Sequence, residues 1–210
     1  MVGRTRKQRP SNTQYAIRRN EIVDQAAELF ARNGYAATGI REIGDAAQLA
    51  RGALYYYINS KEALLEEIHD RVMDPLLEEA RKIKALECSP SARLRMISEV
   101  LLRAIIERRD HVWVFLHEYR SLTGQRRVNF KRKRAVFEKI VGDLLAEGVD
   151  EGEFEIDDPP MTSLAFLGMH HYTYQWVQRH PDMDPKIVSD IYCGIFFDGI
   201  RVGRDKKAGS

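Results

Sequence analysis

The chain has 210 residues, 44% hydrophobic and 30% charged, with 33 basic against 31 acidic side chains and a formal net charge of +2. This balance excludes a disordered chain, which would lack the apolar surface for a core, and a polycation that coats nucleic acid by charge alone. No stretch approaches the ~20 apolar residues of a membrane span, and the first residues lack the apolar core of a signal peptide, so the expectation is a cytoplasmic protein.

The charge is unevenly placed. Residues 1–20 carry Arg4, Arg6, Lys7, Arg9, Arg18 and Arg19 and no acid. Residues 1–15 therefore read as a basic arm, either tracking nucleic-acid phosphates or simply solvated. Ile22, Ala26, Leu29 and Phe30 then recur at the i, i+4, i+7, i+8 spacing of one buried helix face, and Asn33-Gly34 supplies the stop. Thr38 can cap a short helix over Ile40 to Ala47. A break at Gln48-Leu49 leads to a second short helix from Arg51 to Tyr57. Asn59 or Ser60 caps a long helix starting at Lys61, with Glu62 three residues after Asn59 as a capping pair. Pro75 falls inside that long pattern and should kink it.

Ser89 as cap and Pro90 at the first helical position mark the clearest boundary. Helices are then expected over about 90–109, 111–121, 125–147, 159–179 and 185–203, with breaks at Gly124, 148–160 and 180–185. Cys88 and Cys193 are far apart, lack metal-ligand spacing and read as reduced thiols. Strand signals are absent. The chain reads as all-α: an arm (1–15), a three-helix helix-turn-helix unit (16–62) and a larger helical body (63–210).

Two short helices joined by a tight turn and propped by a longer one form the helix-turn-helix arrangement, whose second helix fits the DNA major groove. Periodicity places Leu54 and Ile58 on the face toward the first helix. Tyr56 points away, and Tyr55 and Tyr57 lie on the flanks. An outward phenol can reach phosphate oxygens, and so can Lys61 at the start of the next helix. The competing reading is an aromatic cluster bridging head and body. We favour it for Tyr57, and DNA for Tyr55 and Tyr56.

The run "EIVDQAAELFARNGYAATGIREIGDAAQLARGALYYYINSKEALL" (Glu21 to Leu65) resembles the DNA-binding domain of the TetR family of bacterial transcription regulators. The pattern Ala-x-x-Leu-Phe, Gly-Tyr-x-x-Thr, Ile-x-x-Ile, Gly-x-Leu-Tyr and Ser-Lys-Glu carries the match over about 45 residues. The resemblance implies that Arg51, Gly52, Ala53, Tyr55 and Tyr56 face double-stranded DNA, with Arg51 reading a base edge. It implies that Thr38, Arg41 and Lys61 hold phosphates, and Gly39 stands where a hydroxyl residue often touches one. The sequence departs from the family pattern where Ala50 replaces a hydroxyl cap, Gln48 a turn glycine, and Ile58 a phenylalanine.

For the body, the resemblance implies a ligand-binding and dimerisation domain. The homodimer would form through the last two helices, "LAFLGMHHYTYQWV" and "IVSDIYCGIFFDGI", and would read a palindromic operator. Trp113, His117, Arg120, His171, Tyr172 and Trp176 combine apolar bulk with a few polar groups, as effector pockets do; the alternative is core or interface packing. The basic run of Arg126, Arg127, Lys131, Arg132, Lys133 and Arg134 beside such a pocket would suit a ligand with an apolar tail and a phosphate-rich head. The body is similar to the TetR branch that senses acyl-CoA thioesters, so the expected effector is an acyl-CoA or another lipid-derived ligand that releases the repressor from its operator. Pro75 is the candidate hinge. No cofactor or metal is expected, since the histidines match no ligand spacing. The rival readings are a helical enzyme, for which no catalytic motif is present, and an effector-free DNA-packaging protein.

Overall fold

The structure, a computed structural model, describes residues 12–180 and 182–200. Arg4, Arg6, Lys7 and Arg9 of the basic arm, and the end of the helix expected to reach 203, lie outside the described residues. Among the described residues, nine α-helices and three short 3-10 turns make up the regular structure and no strand occurs. No helix among them is long and apolar enough to cross a membrane.

Helix α1 (Asn12–Asn33) takes in residues 12–15 of the expected arm and buries Ile22, Val23, Ala26, Ala27, Leu29 and Phe30. Gly34 ends it with φ +85°, a left-handed conformation that glycine adopts without a Cβ clash, and its N–H closes on the Phe30 carbonyl at 2.9 Å. Helix α2 (Ile40–Ala46) begins after Gly39, whose N–H donates to the Glu42 carboxylate at 2.6 Å. The expected cap, Thr38, is corrected. It is fully buried, and its hydroxyl donates to the Gly34 carbonyl at 2.9 Å, tying the connection to the end of α1.

Gln48 carries the turn after α2 at φ +53°, the strained position where a glycine is otherwise favoured. Gly44 permits the turn to close, because a Cβ there would lie 3.0 Å from the Leu49 carbonyl oxygen. Helix α3 (Arg51–Tyr57) starts at Ala50 with no side-chain cap. That omission costs about 1 kcal/mol. Leu54 and Ile58 are buried, as expected, and α3 packs against α2. Each contributes roughly 1.5–3 kcal/mol, so packing outweighs the missing cap.

Helix α4 (Lys61–Lys84) is capped by Ser60, whose hydroxyl accepts the Ala63 N–H at 3.1 Å. It continues unbroken through Pro75. Ser89 caps and Pro90 opens α5 (Pro90–Glu107), as the sequence indicates. Helix α6 (Arg109–His117) stops earlier than expected and is followed by a 3-10 turn over Tyr119–Ser121. Helices α7 (Gly124–Asp150), α8 (Pro159–His171) and α9 (Pro185–Ile200) complete the body. The single helix expected over 159–179 is corrected. After His171 the run Tyr-Thr-Tyr-Gln-Trp-Val, rich in aromatic and β-branched residues of low helix propensity, forms two 3-10 turns, Tyr172–Gln175 and Val177–Arg179.

In the body α5 packs along α9, and α7 along α4 and α8; α1 docks on α6 and α4. Phe154 folds back onto the end of α7, its ring lying where a Gly148 Cβ would stand, 2.2 Å from Cδ2. Polar groups in this core are mostly paired. His170 is fully buried, with Nδ1 on the Phe166 carbonyl (2.7 Å) and Nε2 on the Ser98 hydroxyl (2.6 Å), and it thereby joins α8 to α5. Buried Arg93 reaches Glu147 at 2.6 Å and the Lys84 carbonyl at 3.2 Å.

Two outcomes are expected. Gly148→Ala forces a methyl into the buried Phe154 ring, so it should destabilise the chain by roughly 1–3 kcal/mol, read as a lower melting temperature with folding retained. Burial pushes His69 down to about 3 and His170 down to about 4. Both stay neutral in the fold while the unfolded chain takes up protons near pH 6.5. Their contribution is therefore complete above about 6.5 and is lost as pH falls toward about 4, at roughly 1.4 kcal/mol per histidine per pH unit. Thermal melts should be level from pH 8 to 7 and fall from 6.5 to 5; a level profile down to pH 5 would contradict this.

Candidate functional site

The outward face of α3 is assembled by subtraction. With Leu54 and Ile58 in the core, Arg51, Gly52, Ala53, Tyr55 and Tyr56 all remain in solvent, Tyr55 42% and Tyr56 49% exposed. The Arg51 guanidinium lies 5.8 Å from the centroid of the Tyr55 ring, one turn along the helix. No atom comes within 4 Å of a Cβ built on Gly52, so a side chain there would meet nothing of this chain. Arg41 is almost fully exposed, 3.8 Å from Asp45. Gly39 is exposed, with its N–H taken by Glu42.

One residue departs from expectation. Thr38, expected to hold phosphate, has its hydroxyl inside the protein, and its N–H donates to the Gly34 carbonyl (3.3 Å), so it braces the turn instead. Tyr57 is half-buried and sits in an aromatic cluster. It stacks on Tyr15 of α1 (centroids 5.2 Å apart, planes 22° apart), and Tyr56 meets both rings edge-on. Lys61 is half-buried, its ammonium 4.1 Å from the Tyr35 ring centroid. Burial, then Glu62, push the Tyr35 phenol up to about 12, so the ring beneath Lys61 stays neutral.

The head is fastened to the body at several points. Arg71 of α4 bonds Asn20 (2.7 Å) and Asp24 (3.2 Å) of α1, and Glu67 (2.8 Å) on its own helix. Glu67 also pairs with Arg19, which donates to the Tyr57 carbonyl at 3.2 Å. The Tyr35 N–H donates to Glu118 at 2.9 Å, and Arg126 of α7 reaches Glu66 at 2.8 Å. Between α1, α4 and the α5–α6 junction lies an open cleft of about 1280 Å³ lined by Asp24, Glu28, Arg71, Pro75, Arg108 and His111, among others. Sequence reading gave no signal for it, because its walls come from segments some 50 and 90 residues apart.

The six expected effector residues do not share one cavity. Trp113 and His117 stack (4.5 Å, 17°), and the Tyr174 hydroxyl bonds His117 Nε2 at 3.0 Å. Trp113 and Tyr174 border a crevice of about 430 Å³ against Glu28 and Arg32 of α1. Arg120 lies exposed beside Tyr119, donating to its hydroxyl at 3.3 Å. His171 is half-buried; burial first, then Arg134 and His170, hold it down to about 4. Trp176 meets His180 edge-on (6.1 Å). Tyr172 is 66% exposed and continues an outer row of Met161 and Leu164 on α8, while α9 exposes Ile187, Ile191 and Ile195. Tyr172 thus belongs to an unpartnered apolar surface.

His69 of α4 gives no signal in the sequence, where it stands as an isolated histidine on an apolar helix stripe. It is 2% exposed, and neither ring nitrogen has a partner. Among the described residues no group of three or more His, Cys, Asp or Glu side chains is placed to hold a metal.

The family described as "Bacterial regulatory proteins, tetR family" matches residues 22–68, and "Tetracyclin repressor-like, C-terminal domain" matches residues 87–200. The HTH-type transcriptional repressor KstR2 of Mycobacterium tuberculosis (strain ATCC 25618 / H37Rv) is 31% identical over 185 residues, which cover 87% of this chain and 92% of that one. The solved structure of the ketosteroid transcriptional regulator KstR2 of Mycobacterium tuberculosis matches with a TM-score of 0.82 at 26% identity, over 95% of this chain and 100% of that chain. AibR in complex with isovaleryl coenzyme A and operator DNA matches with a TM-score of 0.76 at 25% identity, over 86% and 98%. These relatives are regulators rather than enzymes, and they match along head and body alike. The chain belongs to the TetR family of bacterial transcription regulators.

Proposed function

We propose that the chain is a repressor that binds a palindromic operator as a homodimer and is released by an acyl-CoA thioester or a similar lipid-derived effector. The observation that carries the DNA half is the α3 face, where Arg51, Gly52, Ala53, Tyr55 and Tyr56 are exposed on a helix held from behind by Leu54 and Ile58. One helix of this length offers little affinity alone. Two related by a two-fold axis read half-sites about 34–36 Å apart. The exposed Met161, Leu164, Tyr172, Ile187, Ile191 and Ile195 supply an apolar surface for that pairing through α8 and α9. A cytoplasmic location follows from the operator reading.

Support for the effector class comes from two sides. AibR was solved with both isovaleryl coenzyme A and operator DNA, and KstR2 is named a ketosteroid regulator and a repressor. Within this chain, Arg120 and Arg127 carry no carboxylate partner among the described residues, and the Arg120 hydrogen bond, with the charges of Arg134 (itself paired with Glu138 at 2.8 Å) and Arg127, holds the Tyr119 phenol below its ordinary value. Such a cluster suits a phosphate-bearing head. The effector acts only through a difference in affinity between two conformations. Helix α4 transmits it, with Pro75 beside the cleft as the hinge.

Three measurements test this reading. Arg51→Ala should weaken operator binding by roughly 1–3 kcal/mol without changing the melting temperature, measured by fluorescence anisotropy at fixed salt. Ile191→Glu should convert the dimer to monomer in sedimentation and abolish operator binding. Acyl-CoAs of graded chain length should raise the melting temperature and release DNA; stabilisation by free hydrophobic compounds and by no acyl-CoA would sink the effector assignment.

A further inference from the structure

A neutral imidazole has one N–H donor and one acceptor nitrogen. At His69 both are buried and unpaired, whereas His170, equally deep, has both satisfied. An unmet buried group costs roughly 1–3 kcal/mol, and a leucine at position 69 would avoid that cost. The surroundings are aromatic: Phe130 of α7 lies 4.9 Å from the His69 ring and Phe115 of α6 lies 5.6 Å from it, both tilted by about 60°.

These rings lead outward. Phe130 stacks flat on Tyr119 (5.7 Å, 13°), whose hydroxyl accepts from Arg120. On α7, Phe130 stands three residues after Arg127 and four before Arg134, so the three share one helix face. From surface to interior the order is guanidinium groups, aromatic rings, then an unpaired imidazole. This is the sequence of chemistries in a ligand with an anionic end, an apolar stretch and a single embedded polar atom.

We infer that His69 is a specificity-determining residue of the effector site, donating its ring N–H to the carbonyl oxygen of a thioester whose anionic end rests on Arg120, Arg127 and Arg134. The inference rests on the acyl-CoA reading above and adds to it the group that tells a thioester from other apolar anions. It also links the ligand to the head. His69 lies on α4 between Glu67, which holds Arg19, and Arg71, which holds Asn20 and Asp24. A bond formed at His69 therefore acts on the same turns of α4 that grip α1.

The test compares octanoyl-CoA with its thioether analogue octyl-CoA, identical but for the carbonyl, by calorimetry on the full-length chain. The wild type should prefer the thioester by at least about tenfold, the worth of one hydrogen bond to an otherwise unmet buried group. In His69→Phe, which keeps a ring but no nitrogen, the preference should fall to near parity while the unliganded chain melts no lower than the wild type. His69→Gln, which restores a donor, should recover part of the preference. Equal affinity of the wild type for both compounds overturns the inference and leaves the effector class standing, and so does a preference that persists in His69→Phe. Binding of neither compound by the wild type overturns the effector class and the inference with it. The wild-type comparison decides even if a variant fails to fold.

Discussion

Everything in this molecule hangs on α4 being shared. Its first turns cap the reading head and its remaining length lies in the body, with no break in the helix between them. Leu64, Leu65, Ile68, Val72, Met73, Leu76 and Leu77 are buried along it. Each such side chain is worth roughly 1.5–3 kcal/mol, whereas partly exposed ion pairs such as Arg71–Asp24 contribute about 0–1 kcal/mol. Apolar packing therefore fastens α4 in place. The Arg19–Glu67–Arg71–Asp24 set adds direction more than strength: it fixes the angle at which α1, and with it α3, leaves the body.

That division of labour explains why the head was legible in the sequence. Its elements follow from local chemistry: a glycine past the end of α1, a serine before α4, and apolar spacing within seven-residue helices. The limits of α3 and the burial of Leu54 and Ile58 could be read directly. Thr38 could not, because its choice between solvent and the Gly34 carbonyl depends on how the connection folds over α1. The stacking partner of Tyr57 was hidden for a related reason: Tyr15 lies 42 residues earlier, on a helix whose start looked like part of an arm.

The body was legible only in outline. Amphipathic spacing gives its helices, but pockets form where α1, α4, α6 and the 3-10 turns converge, and periodicity within one helix says nothing of such convergence. Tyr174, which joins Trp113 and His117, sat one residue pair away from the expected Tyr172 and Trp176. The departure from helix after His171 turned Tyr172 outward and Tyr174 inward. The contrast between His69 and His170 was equally hidden. Both are histidines on apolar helix faces, and the Phe166 carbonyl one turn back together with Ser98, far away in sequence, separates a satisfied imidazole from an unsatisfied one.

The way α3 is held has a further consequence, for how such a protein can change over generations. The fold draws on this helix through Leu54 and Ile58 and through the packing of Tyr56 and Tyr57 on Tyr15, while Arg51, Gly52, Ala53 and Tyr55 lie outside the core. Substitutions at these four positions leave the core packing untouched, so a duplicated gene could drift to a new binding sequence without passing through an unstable intermediate. Stability and the vocabulary of the reading face are written on opposite sides of the same two turns, and selection can edit one without rewriting the other.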